Sequence, residues 1–297
     1  MRDRFSLDQI RVFVAAAEHG SFSAAARKLG RAQSAVSDLI RRLEEETGVA
    51  LFDRTTRSPT LTGEGKLLLA DARAIAAAAD KLHFRATGMK KGVEAELCAV
   101  MDVYFPVQAM AEAAADFRDA FPATPLRLYV EVLGGALRPV LDGRASFAVV
   151  GPTPIPGDCA SEPLYGVEIV MVAAPTHPLA RIEGPITREH LAAEVQLVLT
   201  ERDSAAPERE YGVLSPTTWR LADLYAKQAF LLSGLGWGSM PRHAIARELE
   251  EGRLKILEIA DAPAARSPPM SVVYRAASPP GPAGRWLIER LRHADRF

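Results

Sequence analysis

Cysteine is nearly absent from this 297-residue chain, which has only Cys98 and Cys159. The two form no CxxC pair and no metal-spaced cluster, which excludes a disulfide framework and a cysteine zinc site. Buried or free thiols in a reducing compartment account for both. Neither has a basic neighbour in sequence to prime it for redox chemistry. Long hydrophobic runs are missing too. No stretch reaches membrane-spanning length, and the opening MRDRFSLDQI lacks the apolar core of a signal peptide. These absences place the protein in the cytoplasm. Charge of one sign is also lacking, with 36 Lys and Arg against 37 Asp and Glu, a balance unlike that of a nucleic-acid coat protein.

Catalytic signatures are missing as well. There is no HExxH, no GxSxG, and no GxGxxG after a strand. GEGK at 63–66 lacks the upstream glycine of a phosphate loop, and Leu67 stands where Ser or Thr is needed. The six histidines are scattered, so no metal site or cofactor is expected. The chain reads as a non-enzyme.

What is present is ordinary globular composition, 48% hydrophobic and 25% charged, in a chain long enough for two or three folding units. The informative segment is 6–65. Ser6 and Gln9 form a capping box, and Leu7, Ile10, Phe13, Val14 and Ala17 give an amphipathic stripe ended by Gly20. Ser21 or Ser23 can cap a second helix through Ala24, Ala25, Ala26 and Leu29, ended by Gly30. Its small residues let two helices cross closely, as a helix-turn-helix requires. A third helix from Gln33 divides into two sides. Ala35, Val36, Leu39, Ile40 and Leu43 form its core side. Gln33, Ser34, Ser37, Asp38 and Arg41 form a polar face, with Arg42 adding charge. Gln and Ser on such a face can bond bases in the major groove. The acidic run Glu44–Glu46 is expected to point away from DNA. Val49, Leu51 and Phe52 anchor a polar hairpin whose Arg54 and Arg57 suit phosphate contacts. Thr62 caps another helix, with Glu64 in its first turn. Each part alone also reads as core packing or a solvated face; the conjunction points to DNA binding. Residues 1–62 carry more Lys and Arg than Asp and Glu, a modestly basic head on a neutral body.

Residues 6–70 resemble the winged helix-turn-helix of the LysR-type transcriptional regulators. The matching residues are Phe13, Ala17, Gly20-Ser21-Phe22, Ala25-Ala26, Leu29, Gln33-Ser34-Ala35-Val36-Ser37, Ile40, Leu43-Glu44, Gly48, Leu51-Phe52, Arg54, Leu61-Thr62 and Gly65. Arg31, Ala32 and Asp38 depart from the pattern, which leaves the operator sequence open. An acid at 38 repels phosphate but could accept from cytosine.

From Thr62 to about Gly88 no proline occurs, and Leu67, Leu68, Ile75, Ala79 and Leu82 form an apolar seam. Such a helix packs within its own chain or pairs with a second copy; the resemblance implies the dimer and favours a tetramer. Beyond a Lys90-Lys91-Gly92 hinge, strand and helix patterns alternate, which implies parallel sheets in an α/β arrangement. Expected strands are 97–102, 126–132, 147–150, 167–174, 197–200 and 270–274. Expected helices are 106–121, 136–142, 221–232, 241–251 and 282–293. His177-Pro178-Leu179-Ala180, Gly234-Leu235-Gly236, Met240-Pro241 and Glu251-Gly252-Arg253-Leu254 resemble the effector domain of the same family. That resemblance implies two α/β subdomains, like a periplasmic solute-binding protein, with chain crossings placed near Pro163 and Pro263–Pro269. The expected units are a DNA-binding domain at 1–62, a linker helix and hinge at 63–92, and an effector domain at 93–297. Within the last, subdomain I covers about 93–163 and 267–297, and subdomain II about 164–266. Ser146 stands where the family often has Asp, a position of structural weight.

Ligands of open α/β sheets bind beyond the carboxyl ends of strands. That rule selects Asp102 and Tyr104 after the first strand, Gly134 after the second, and Thr200 with Glu201 in the other subdomain. The family often has Ser or Thr at the first of these loops, which cradles anions. Asp102 instead favours a ligand with an amine or hydroxyl, or else serves only as a helix cap. Trp219 and Trp237 either wall the cleft or belong to the core. The sequence therefore reads as a regulator that binds double-stranded promoter DNA under control of a small-molecule effector. The alternatives are a stand-alone small-molecule-binding protein and an enzyme with an appended DNA-binding domain. The first would lack the head, and the second would need a catalytic constellation.

Overall fold

The computed structural model describes residues 5–54, 59–201, 212–260 and 265–293. The chain divides into two compact units, Met1–Lys91 and Gly92–Phe297.

The first unit holds helices α1 (Leu7–His19), α2 (Phe22–Leu29) and α3 (Gln33–Thr47), a short antiparallel pair β1 (Phe52–Asp53) and β2 (Thr60–Leu61), and the long helix α4 (Gly63–Lys90). Ser6 and Gln9 form the capping box of α1, and Ser21 caps α2 through the Ala24 N–H. Gly20, Gly30 and Gly48 end the three helices in the left-handed conformation. Phe13, Ala25, Val36, Ile40 and Leu51 are the buried centre. Phe52 meets Phe13 and Phe22 edge-on, with ring centroids 5.8 and 5.1 Å away. The apolar stripe expected on α1 is too narrow. Val12, Ala15 and Ala16 are buried as well, because α1 contacts α4 in addition to α2 and α3. Arg11–Asp80 and Arg73–Glu18 pairs link α1 and α4 at their rims. Ala35, expected in the core, is exposed. Thr62 caps α4 through the Gly65 N–H. A Cβ at Gly65 would lie 2.2 Å from the Leu51 carbonyl oxygen, so only glycine lets the helix start against the hairpin.

The second unit contains two sheets. The first has the order β4-β3-β5-β13-β6, from β3 (Leu97–Asp102), β4 (Leu126–Glu131), β5 (Phe147–Val150), β6 (Cys159–Gly166) and β13 (Pro269–Arg275). The second runs β11-β7-β10-β8-β9, with β12 (Ala265–Arg266) also on β7. Its members are β7 (Ile169–Ala173), β8 (Gln196–Leu199), β9 (Thr218–Leu221), β10 (Trp237–Pro241) and β11 (Lys255–Ile256). Helices α5 (Val107–Ala120), α6 (Arg138–Leu141), α7 (Arg188–Ala192), α8 (Leu224–Leu232), α9 (Ala246–Glu250) and α10 (Pro282–Arg292) complete the described elements, with short 3₁₀ turns at 133–136, 178–181 and 242–245.

Both sheets are mixed rather than parallel. β13 runs antiparallel to β5 and β6, and β10 runs antiparallel to β7. The chain crosses between sheets at 167–168, just past β6 and shortly after Pro163, which lies inside that strand. β6 tolerates the proline because it is an edge strand. The return crossing falls at 267–268, between β12 and β13. Residues 221–232, expected as one helix, divide: Thr218–Leu221 is the edge strand β9, and α8 begins at Leu224 behind the Asp223 cap. The expected helices at 136–142 and 241–251 each open as a 3₁₀ turn and are correspondingly shorter.

Candidate functional site

The exposed face of α3 is set by what lies beneath it. Val36, Ile40 and Leu43 are buried, which turns Gln33, Ser34, Asp38 and Arg41 to solvent and leaves Ser37 half-buried. The charges on this face are paired. Arg41 bonds Glu45 at 2.6 Å and lies 3.7 Å from Asp38. Exposed pairs of this kind contribute little to stability, so an incoming phosphate or base displaces them easily. Arg31, one of the atypical residues, makes two bonds to Asp8 at 2.7 and 2.8 Å, which clip the turn before α3 to α1. Ala32 holds the N-cap position of α3 and offers no side-chain acceptor.

Sequence reasoning missed the role of Glu44. Its carboxylate accepts from the Leu51 and Phe52 N–H groups at 2.8 and 3.1 Å and from Arg54 at 2.7 Å. One side chain of α3 therefore fixes the start of the hairpin. Arg54 also lies over the Phe22 ring at 5.7 Å, so it is a brace for the hairpin as well as a surface cation. The signal for Glu44 is its position one residue beyond buried Leu43, which separates it from its more exposed neighbours Glu45 and Glu46. Arg57 lies outside the described residues.

In the second unit a cleft of about 860 Å³ opens between the two sheets. Asp102, Tyr104, Gly134, Thr200 and Glu201 all line it, so the structure brings the five expected residues together. Glu201 spans the cleft, accepting from the Gly134 N–H at 2.9 Å. Leu133, beside it, has a positive φ of 51°, a strained backbone at the cleft wall. Trp237 does not line the cleft; it is fully buried in the core of the second half. Trp219 does not line it either; it is exposed and packs edge-on to Phe230.

Asp102 does not cap α5, whose N-cap is Pro106. Its Oδ1 accepts from the Tyr104 N–H two residues on, at 2.8 Å, and its Oδ2 is buried without a hydrogen-bond partner among the described residues. Burial raises its pKa to about 6, against the pull of the nearby Tyr104, Gly151 and Leu133 N–H groups. Tyr104 is raised to about 12, first by burial, with the Ser239 hydroxyl of the facing half acting the other way.

Behind Ser239 lies Lys227, fully buried on α8, whose Nζ donates to Ser239 Oγ at 3.3 Å. Burial alone lowers its pKa to about 7. Lys227 was overlooked in the sequence. The available signal is that it stands three residues after Leu224 and four before Leu231, on the inward side of α8. Gly238 makes room for it: a Cβ there would stand 2.5 Å from the Leu197 carbonyl oxygen and 3.3 Å from Lys227 Cε.

Burial raises the pKa of the Cys98 and Cys159 thiols, so neither is primed as a thiolate. Among the described residues no group of three or more His, Cys, Asp or Glu could hold a metal ion. No helix there is long and apolar enough to cross a membrane.

Comparison with known proteins bears on both units. Residues 7–66 match the family model described as bacterial regulatory helix-turn-helix protein, lysR family. Residues 90–296 match the model described as LysR substrate binding domain. The chain is 31% identical over 255 residues to the probable HTH-type transcriptional regulator YhaJ of Escherichia coli K12, covering 85% of each. It is 31% identical over 258 residues to the HTH-type transcriptional activator AllS of Klebsiella pneumoniae, covering 83% of this chain and 93% of that one. A solved structure of a Corynebacterium glutamicum OxyR mutant bound to H2O2 has the same fold, with a TM-score of 0.54. Identity there is 22%, over 97% of this chain and 94% of that one.

Proposed function

Since the chain belongs to the LysR family of transcriptional regulators, with a helix-turn-helix DNA-binding unit and an effector-binding unit, we propose that it binds double-stranded promoter DNA in the cytoplasm under control of a small molecule. The observation that carries this reading is the face of α3, with Gln33, Ser34 and Asp38 exposed over a buried Val36–Ile40 seam. The face enters the major groove, and Gln33, Ser34, Ser37, Asp38 and Arg41 meet base edges and phosphate. Arg54 and Arg57 hold phosphate from the hairpin. Gln33→Ala or Ser37→Ala lowers the free energy of specific binding by about 1–3 kcal/mol in a mobility-shift titration, with binding to random DNA unchanged. Equal loss on both DNAs would remove the base-reading role. Arg54→Ala weakens all sequences alike; a loss confined to one base pair would contradict its role.

Two copies pair through α4. Leu69 and Ala72 are buried against the rest of the first unit, whereas Leu67 and Leu82 are 76% and 70% exposed. These leucines form part of the surface that a second chain covers, and the family resemblance favours a tetramer over a dimer. Leu67→Asp combined with Leu82→Asp yields monomers by light scattering; an unchanged mass would place the dimer contact elsewhere.

The effector occupies the cleft lined by Asp102, Tyr104, Gly134, Thr200 and Glu201. By binding one arrangement of the two halves better than another, it shifts the population that the paired heads present to DNA. No catalytic step is part of this reading.

A further inference from the structure

The least satisfied group in the cleft is Asp102. β3 lies between β4 and β5, and these three strands run parallel. The loops that follow them bring the Leu133, Tyr104 and Gly151 N–H groups near the Asp102 carboxyl. Loop N–H groups at the carboxyl ends of parallel strands are what an open α/β sheet offers to an anionic ligand. In this chain the cradle already holds an anion, its own side chain. Oδ1 is taken by the Tyr104 N–H at 2.8 Å, while Oδ2 has no partner among the described residues and the residue is 1% exposed. A buried acceptor without a donor is unfavourable, and a second anion brought against it is worse. Glu201 adds a further carboxylate at the Gly134 edge of the same cleft. Among the described residues the cations nearby, Arg220, Arg266 and Lys227, all belong to the second half.

Resting on the reading of the cleft as the effector site, we propose that the effector carries a cationic head, a primary ammonium group, which docks on Oδ2 of Asp102. The ammonium donates to the unpartnered oxygen and neutralises the carboxylate that fills the cradle. Carboxylate or phosphate heads are excluded from this subsite, because the Asp102 carboxylate already occupies the place among the loop N–H groups that an external anion would take. Asp102→Ser removes that anion and opens the cradle to an external one. Asp102→Asn keeps the side-chain shape and the acceptor for the Tyr104 N–H but removes the charge.

The test uses the full chain, with butylammonium and butyrate as a matched pair of probes in calorimetric titration. The wild type binds butylammonium about tenfold or more tightly than butyrate, and Asp102→Asn removes that preference. Asp102→Ser reverses it, and Thr200→Trp, which fills the cleft, removes binding of both probes. Thermal unfolding checks that the Asn and Ser variants remain folded, as expected when a buried charge is relieved. Butyrate binding the wild type as tightly as butylammonium, with Thr200→Trp still blocking both, overturns the ammonium assignment and leaves the cleft reading intact. Butylammonium binding untouched by Thr200→Trp overturns the cleft reading and the proposal together. Absence of butylammonium binding to the wild type overturns the proposal.

Discussion

Ile40→Asp abolishes DNA binding by unfolding the first unit, and a separate unfolding transition of the second unit survives. Ile40 has no exposed surface and packs among Phe13, Ala25 and Val36. Truncating a buried Ile costs about 2–5 kcal/mol through lost burial and cavity formation. A carboxylate placed there adds desolvation with no partner on hand, since the buried neighbours are apolar. Together these match or exceed the roughly 5–15 kcal/mol that holds a typical domain folded. Calorimetry of the full chain checks the outcome: one transition disappears, one remains, and mobility shifts are lost on every DNA. Retained binding to random DNA would mean that α3 is not seated on this core.

Lys227→Met raises the stability of the second unit by up to about 4 kcal/mol near and below neutral pH, and the gain fades as pH rises toward 10. The amine ordinarily titrates near 10.5 and in the fold titrates near 7. The unfolded chain therefore binds this proton more tightly than the folded one. Stability of the wild type rises with pH between about 7 and 10.5, and the whole penalty is present below 7. Methionine fills a similar volume without the charge. Urea unfolding of both proteins across this pH range reads the difference. A gain that does not depend on pH would show that Lys227 is not buried as a cation without an anionic partner. The hydroxyl of Ser239, which accepts from it, is neutral and does not offset burial of the charge.

Local chemistry explains what the sequence made legible. The first three helices are written in caps and glycines: Ser6 with Gln9, Ser21, and the left-handed Gly20, Gly30 and Gly48 all act within a few residues of the element they bound. The five cleft residues were legible because the strand-end rule depends on topology and not on side-chain detail. Edge strands were harder to see. β6 carries Pro163 and β9 exposes Trp219 and Arg220 between half-buried Thr218 and Leu221, so neither has the apolar run of a central strand. The mixed strand directions follow from the return of the chain into the first sheet through β13 and from the pairing of β7 with the later strands β10, β11 and β12, long-range events without a local signature. The roles of Glu44, Arg31 and Lys227 each depend on partners outside their own sequence neighbourhood. Glu44 reaches Leu51, Phe52 and Arg54, Arg31 reaches Asp8, and Lys227 reaches Ser239. Of the three departures from the family pattern, Arg31 now has a bracing role, Ala32 leaves α3 without a side-chain cap, and Asp38 lies beside Arg41 on the exposed face.

The proposed function has this face read DNA sequence as one of a two-fold related pair. Selection from a random-sequence DNA pool by the full-length protein tests it most directly. The expected result is one enriched motif with two related half-sites, whose centres lie about 10–10.5 base pairs or a multiple apart. Gln33→Ala and Ser37→Ala change the enriched bases within the half-sites without changing their spacing. A pool that emerges with no motif above the input, while still being retained by the protein, would contradict it.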